Sequence, residues 1–92
     1  MPILLAQSIG PDIPLEGGVV MVGRHPACDV RLDSLRVSRR HCILTEQRGG
    51  VVVRDLGSTN GTWINGRRVV SGRIHPGDEL SIAHMRYHLG RH

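Results

Sequence analysis

The sequence predicts an all-β domain, a sandwich or a barrel built from short strands. Two observations carry this. No segment longer than about ten residues keeps a helical apolar period. Short apolar stretches instead alternate with turn residues along the chain, and strands this short with turns this frequent build sandwiches and barrels.

Taken in order, the apolar stretch at Ile3–Gln7 predicts a first strand, and Val19–Val22 a second, ending at Gly23-Arg24-His25-Pro26. Asp29–Leu32 and His41–Glu46 follow on either side of a polar, arginine-rich segment. Gly49-Gly50 can take the positive φ angles of a tight hairpin and is expected to join Cys42–Glu46 to Val51–Asp55. Thr62–Ile64 and Arg67–Val70 flank Asn65-Gly66, the preferred pair for a two-residue type I′ turn. Pro76-Gly77-Asp78 is a further turn, with one φ preset by proline and the next left free by glycine. Glu79–Ile82 and Met85–Leu89 complete the set.

Ninety-two residues allow one small domain, which buries somewhat over ~60% of its unfolded surface. With ten Val, nine Leu and seven Ile against one Trp, one Tyr and no Phe, the core must be aliphatic. Twelve basic residues, all arginine, exceed eight acidic ones by four, which favours anionic partners without requiring nucleic acid. No apolar run approaches the ~18–20 residues of a membrane-spanning helix. Ile3–Ala6 is too short for a signal-peptide core and lacks a basic lead-in. Cys28 and Cys42 are too few for a disulfide framework, so a reducing, cytoplasmic setting is expected. Met1 followed at once by a strand is read as a chain start, and a last strand ending near His92 as a domain edge. Residues 1–92 are thus expected to be one domain, which leaves room for a larger protein behind it.

Three polar stretches fall where loops are expected: Gly23 to Pro26, Arg36 to His41, and Gly57 to Thr62 followed by Trp63-Ile64-Asn65-Gly66. Together they hold guanidinium forks, hydroxyls, a carboxamide and glycines that let backbone amides approach a ligand. Those groups suit a phosphate held in a loop-built cradle. Taken singly, Arg24 reads as a solvated arginine and Ser38 as a turn residue bonding its own backbone.

The order Gly23-Arg24, Ser38-x-x-His41, Ser58-x-Asn60-Gly61-Thr62, Asn65-Gly66 resembles the forkhead-associated (FHA) domain, a phosphothreonine-peptide-binding module. The resemblance runs from about Val19 to Leu89. It departs at Ala83, where a glycine is common, and at Tyr87, where phenylalanine is usual. It implies a β-sandwich of two antiparallel sheets, about eleven strands, with ligand loops at one end. Carried over by position, it implies that Arg24 and Ser38 contact the phosphate and that Arg39 adds a further contact. Thr59 would sit beside the phosphothreonine and Asn60 would hold the peptide backbone. Arg36 would read the +3 residue, with an acidic preference expected from its charge. Gly23, His41, Gly61, Asn65 and Gly66 would be architectural, His41 bracing the loops from beneath. The implied partner is a threonine-phosphorylated protein or peptide, a substrate of a Ser/Thr kinase, bound in signalling without catalysis or a cofactor.

Competing readings remain open at this point. Ser38, His41 and Asp55 could suggest a hydrolase, but no nucleophile elbow accompanies them. His84-x-x-x-His88 could put two imidazoles on one strand face, and His25-x-x-Cys28 offers another pair; neither completes a four-ligand metal set. Cys42 is expected to pack as a small hydrophobe and Cys28 to be partly exposed. Arg67, Arg68 and Arg73 lie in a stretch without acids and would permit nucleic-acid binding through phosphates alone, though aromatics for base stacking are nearly absent. A phosphate-independent protein scaffold is the remaining alternative.

Overall fold

A computed structural model of the chain describes residues 2–7, 10–15 and 18–91, which form eleven strands and no helix. In chain order these are β1 (Pro2–Ala6), β2 (Ile13–Pro14), β3 (Val19–Gly23), β4 (Val30–Arg31), β5 (Cys42–Gln47) and β6 (Gly50–Asp55). β7 (Thr62–Ile64), β8 (Arg67–Arg68), β9 (Ser71–Ile74), β10 (Glu79–Ile82) and β11 (Met85–Arg91) follow. Two sheets pack face to face as a sandwich. One has the order β2-β1-β11-β10-β7-β8 and the other β4-β3-β5-β6-β9. Met1 and His92, on which the expectations about the chain's limits rest, lie outside the described residues.

Alternation along each strand sends one set of side chains inward. Leu4, Leu80, Ile82, Tyr87 and Leu89 from the six-stranded sheet meet Val22, Leu44, Val53 and Ile74 from the other, all essentially inaccessible to solvent. Gly72 of β9 shows how closely the sheets approach. A Cβ there would lie 2.7 Å from the Ile64 methyl of the opposite sheet.

The architecture matches the expected sandwich, with four differences of detail. The β5–β6 turn is Arg48-Gly49, both at positive φ (50° and 79°), and Gly50 already pairs with Gln47. It is therefore a two-residue hairpin placed one residue earlier than Gly49-Gly50. The β3–β4 pair is parallel, so the second sheet is mixed: residues 24–29 loop back to the side of the strand they have just left. The strand expected at Arg67–Val70 stops at Arg68, because Val69 and Val70 carry the chain across to the second sheet. The last difference is two additional strands, β2 and β9. β2 is an edge pair of residues containing Pro14, and β9 has a single inward aliphatic, Ile74, so neither carries a readable alternation. Asn65-Gly66 forms its expected turn, with φ 49° and 83°. Pro76-Gly77 also turns as expected, closed by the Asp78 amide on the His75 carbonyl at 2.9 Å with Gly77 at φ 95°.

Candidate functional site

At one end of the sandwich, residues 24–29, 32–41 and 56–61 form three loops that are stitched to one another by their own polar groups. The Arg24 and His25 amides donate to the Ser38 and Arg39 carbonyls at 3.0 Å each, which closes the first loop onto the second. Gly23 makes this possible. A Cβ at that position would sit 2.2 Å from the Arg39 carbonyl oxygen and 2.9 Å from the Cys28 sulfur. The second and third loops meet at His41, which is fully buried. Its Nδ1 accepts the Ser38 amide at 3.0 Å, and its Nε2 faces the Gly61 carbonyl at 2.7 Å. An acceptor at one nitrogen and a donor at the other require the neutral Nε2–H tautomer. Burial lowers the His41 pKa, opposed only in part by the Gly61 bond and the Asp55 charge.

Asp55, at the end of β6, organises the third loop. Its carboxylate accepts the Gly57 and Ser58 amides at 2.9 Å each, the Ser58 hydroxyl, and the Thr62 hydroxyl at 2.8 Å. Desolvation pushes this carboxyl up, but those bonds outweigh it and hold its pKa below the usual carboxylate value. Arg68 clamps the same loop from β8 by donating to the Ser58 and Thr59 carbonyls at 3.1 and 3.3 Å. The Trp63 indole N–H donates to the Asn60 carbonyl at 3.1 Å.

The loops enclose an open cleft of ≈ 250 Å³ whose walls include Arg24, Arg36, Ser38, Arg39, Thr59 and Asn60. All six sequence-predicted ligand residues therefore share one cleft. Arg24 is half-buried, and its Nε donates to the Val37 carbonyl at 3.2 Å; among the described residues its terminal nitrogens make no hydrogen bond and remain available. The Ser38 oxygen accepts the Thr59 amide at 3.1 Å, which leaves its own O–H to donate outward. The Asn60 Nδ2 donates to the Arg36 carbonyl at 2.7 Å and keeps its side-chain oxygen as an acceptor. Among the described residues, no ion pair neutralises Arg24, Arg36 or Arg39. The cleft is thus a cationic, donor-rich hollow of the kind that binds an anion with several acceptor oxygens.

Among the architectural residues, Gly23, His41 and Gly61 lie beneath the cleft. Gly61 has φ 88°, and a Cβ there would meet Trp63 Nε1 and Arg68 Nε at 2.8 Å. Asn65-Gly66 sits at the other end of β7. Asp55, Trp63 and Arg68 complete the site although the sequence reading gave them no role in it. Asp55 had a legible signal: an aspartate ahead of Gly57-Ser58 can bond amides two and three residues on. Leu35, 89% exposed on the cleft wall, also escaped notice.

Several competing readings change here. Ser38, His41 and Asp55 form no relay, since His41 is occupied by backbone groups and Asp55 by its own loop. His84 lies in the β10–β11 turn, so it does not share a strand face with His88, which contacts Gln7 instead. His25 Nδ1 accepts the Ala27 amide. Cys28 is buried rather than partly exposed, and its sulfur points at the Arg39 carbonyl. No cluster of three metal-ligating side chains occurs among the described residues. Cys42 packs in the core as expected; burial, reinforced by the Asp55 charge, pushes its thiol up to about 12. Of the acid-free arginines, Arg68 and Arg73 are turned onto the chain's own carbonyls.

Comparison with known proteins accords with this geometry. The FHA domain family model matches residues 20–83. The chain is 40% identical over 72 residues to the oxoglutarate dehydrogenase inhibitor of Corynebacterium diphtheriae, covering 78% of this chain and 50% of that protein. It is also 40% identical over 72 residues to the glycogen accumulation regulator GarA of Mycolicibacterium smegmatis, covering 78% and 46%. The chain thus spans about half the length of the curated relatives it matches. Among solved structures it superposes on Mycobacterium tuberculosis EmbR in complex with a low-affinity phosphopeptide. The TM-score there is 0.88 at 27% identity, over 97% of this chain and 24% of that one. This chain belongs to the forkhead-associated, or FHA, domain family.

Proposed function

We propose that this domain binds a phosphothreonine-containing segment of a protein partner in kinase-dependent signalling, and acts by binding alone. The observation that carries this is the convergence of Arg24, Arg39 and the Ser38 hydroxyl on one cleft flanked by Thr59 and Asn60. Phosphothreonine carries roughly −1.5 to −2 charge at pH 7 and three acceptor oxygens. The terminal nitrogens of Arg24 and the Ser38 O–H take phosphate oxygens, Arg39 adds charge, and Asn60 holds the peptide backbone. The Thr59 side chain lies beside the phosphothreonine, and Arg36 at the rim selects an acidic +3 residue. The γ-methyl of phosphothreonine gives a preference over phosphoserine of ~1–3 kcal/mol, as one methyl in a pocket does. Family membership supports the same reading, as does a solved relative holding a phosphopeptide. Both cysteines are free and buried, which fits a reducing, cytoplasmic setting for a single module spanning residues 1–92.

The test is titration of phosphothreonine peptide libraries, with phosphoserine and unphosphorylated controls, against wild type and Arg24→Ala. Loss of the half-buried guanidinium is expected to cost about 2–3 kcal/mol, or roughly thirty- to 150-fold in affinity. Binding that ignores the phosphate, or survives Arg24→Ala unchanged, sinks this mechanism and favours a phosphate-independent scaffold.

A further inference from the structure

The cleft does not end at Arg36 and Asn60. These two residues also form the near wall of a second hollow of ≈ 320 Å³, whose far wall is Trp63, Ala83 and His84. Those three in turn border a third hollow of ≈ 310 Å³ that reaches Ser81 and Arg86. Three hollows that share walls make one trough, running from the loop end onto the outer face of the six-stranded sheet.

The strand register explains its shape. Trp63 of β7 pairs with Ser81 of β10, which pairs with Arg86 of β11, so the three side chains stand in one outward-facing row. Arg68 pairs with Trp63 on the other side and stacks over its ring, 6.0 Å from the centroid. Serine between an indole and an arginine leaves a gap in that row, and the gap is the trough. Strand spacing of about 4.8 Å makes the row from Trp63 to Arg86 roughly 10 Å long, the reach of about three extended peptide residues. Arg86 is exposed and forms no ion pair among the described residues. Glu79, two positions along β10 from Ser81, bounds the trough toward Gly66 and disfavours an acid beyond that point.

We propose that the phosphorylated ligand is read beyond its phosphothreonine core: one flank lies in this trough, with an aliphatic or proline residue against the Trp63 indole and an acidic residue facing Arg86. The occupant is the ligand's own chain, because the trough adjoins the cleft, with Arg36 and Asn60 lining both. This rests on the phosphopeptide reading of the cleft and specifies how much of the partner it recognises. Trp63 also holds the Asn60 carbonyl, so the trough and the cleft share a structural member.

The test compares a short phosphothreonine peptide, with about three residues on each side, against versions extended N-terminally or C-terminally. The extensions carry one proline and one glutamate at scanned positions. One extension is expected to tighten binding roughly three- to thirtyfold, the size of one solvated charge pair plus one apolar contact on an indole face. Arg86→Glu and Ser81→Tyr, the second of which fills the gap, are expected to abolish that gain while leaving the short peptide's affinity unchanged. Far-ultraviolet circular dichroism establishes that both variants are folded. If neither extension tightens binding, or if the gain persists in both folded variants, the trough is not a ligand track. Should the short peptide itself fail to bind wild type, the phosphothreonine reading falls and the trough proposal falls with it.

Discussion

Tyr87 places a hydroxyl in an aliphatic core. The side chain is fully buried among aliphatics of both sheets, and its oxygen has no hydrogen-bond partner among the described residues. Burial, with smaller contributions from Cys42 and Asp12, pushes its pKa up to about 12. A buried hydroxyl without a partner forfeits its hydration at a cost of about 1–3 kcal/mol. Phenylalanine, the residue usual at this point in the resemblance, would fill the same space without that cost. Tyr87→Phe is therefore expected to stabilise the fold by about 1 kcal/mol, raising Tm by roughly 4–8 °C for a domain this size. Thermal melts monitored by circular dichroism check this, and phosphopeptide affinity should not change. A lower Tm would mean that the hydroxyl is bonded after all.

Between elements, the decisive contact is β3 against the loop of residues 32–41. The Gly23 backbone lies so close to Arg39 that any side chain must displace a carbonyl, not a flexible tip. Gly23→Ala is expected to cost about 1–3 kcal/mol of stability through overpacking. It should also weaken phosphopeptide binding at least as strongly as it weakens the fold, because the displaced segment carries Ser38 and Arg39. Gly77→Ala is the control. Gly77 sits at φ 95° in a turn with nothing within 4 Å of a Cβ, so alanine there brings backbone strain of about 1–2 kcal/mol and should leave affinity alone. Denaturant titration paired with peptide binding separates the two cases. Equal affinity loss in both variants would remove the special role given to Gly23. The same scale shows what the sequence made legible. Strands with several inward aliphatics, such as Val51–Asp55, were readable. β9 was not, because its place in the sheet comes from backbone pairing and the close approach at Gly72. The ligand loops were readable in their cleft-lining residues, whose hydroxyls and guanidinium groups have no core role. Arg68 was hidden because its work is to hold the carbonyls of a loop distant in sequence, a role that depends on contacts made only after folding, whereas Asp55 holds the amides two and three residues on and was legible from that spacing.

For the molecule as a whole, the loop end is bolted to the rigid sandwich by one neutral histidine and one ionised aspartate, and this sets its response to pH. The folded state holds His41 neutral with a lowered pKa, whereas the unfolded chain protonates histidine near pH 6.5. Below that point the unfolded state binds the extra proton, so the His41 contribution is fully present above about pH 6.5. It is lost as pH falls toward and through the folded value. Asp55 and Asp78 are depressed carboxyls, Asp55 because hydrogen bonds overcome its desolvation and Asp78 through the His75 amide and the Asn65 side chain. Their contributions persist above the usual carboxylate value of about 4 and are lost only below it. Two separate acid steps are thus expected in a plot of Tm against pH: a decline beginning below about pH 6.5, and a second below about pH 4. His41→Gln should remove the first step from an already lowered baseline, and Asp55→Asn should reduce the second. Phosphopeptide affinity should fall across the first window too, because the ligand's phosphate takes up its second proton near pH 6. Ligand protonation and loosening of the loops are told apart by His41→Gln, in which only the former remains. A Tm that stays level from pH 7.5 to 5.5 would overturn the assignment of a neutral, buried His41 as the brace between the two ligand loops.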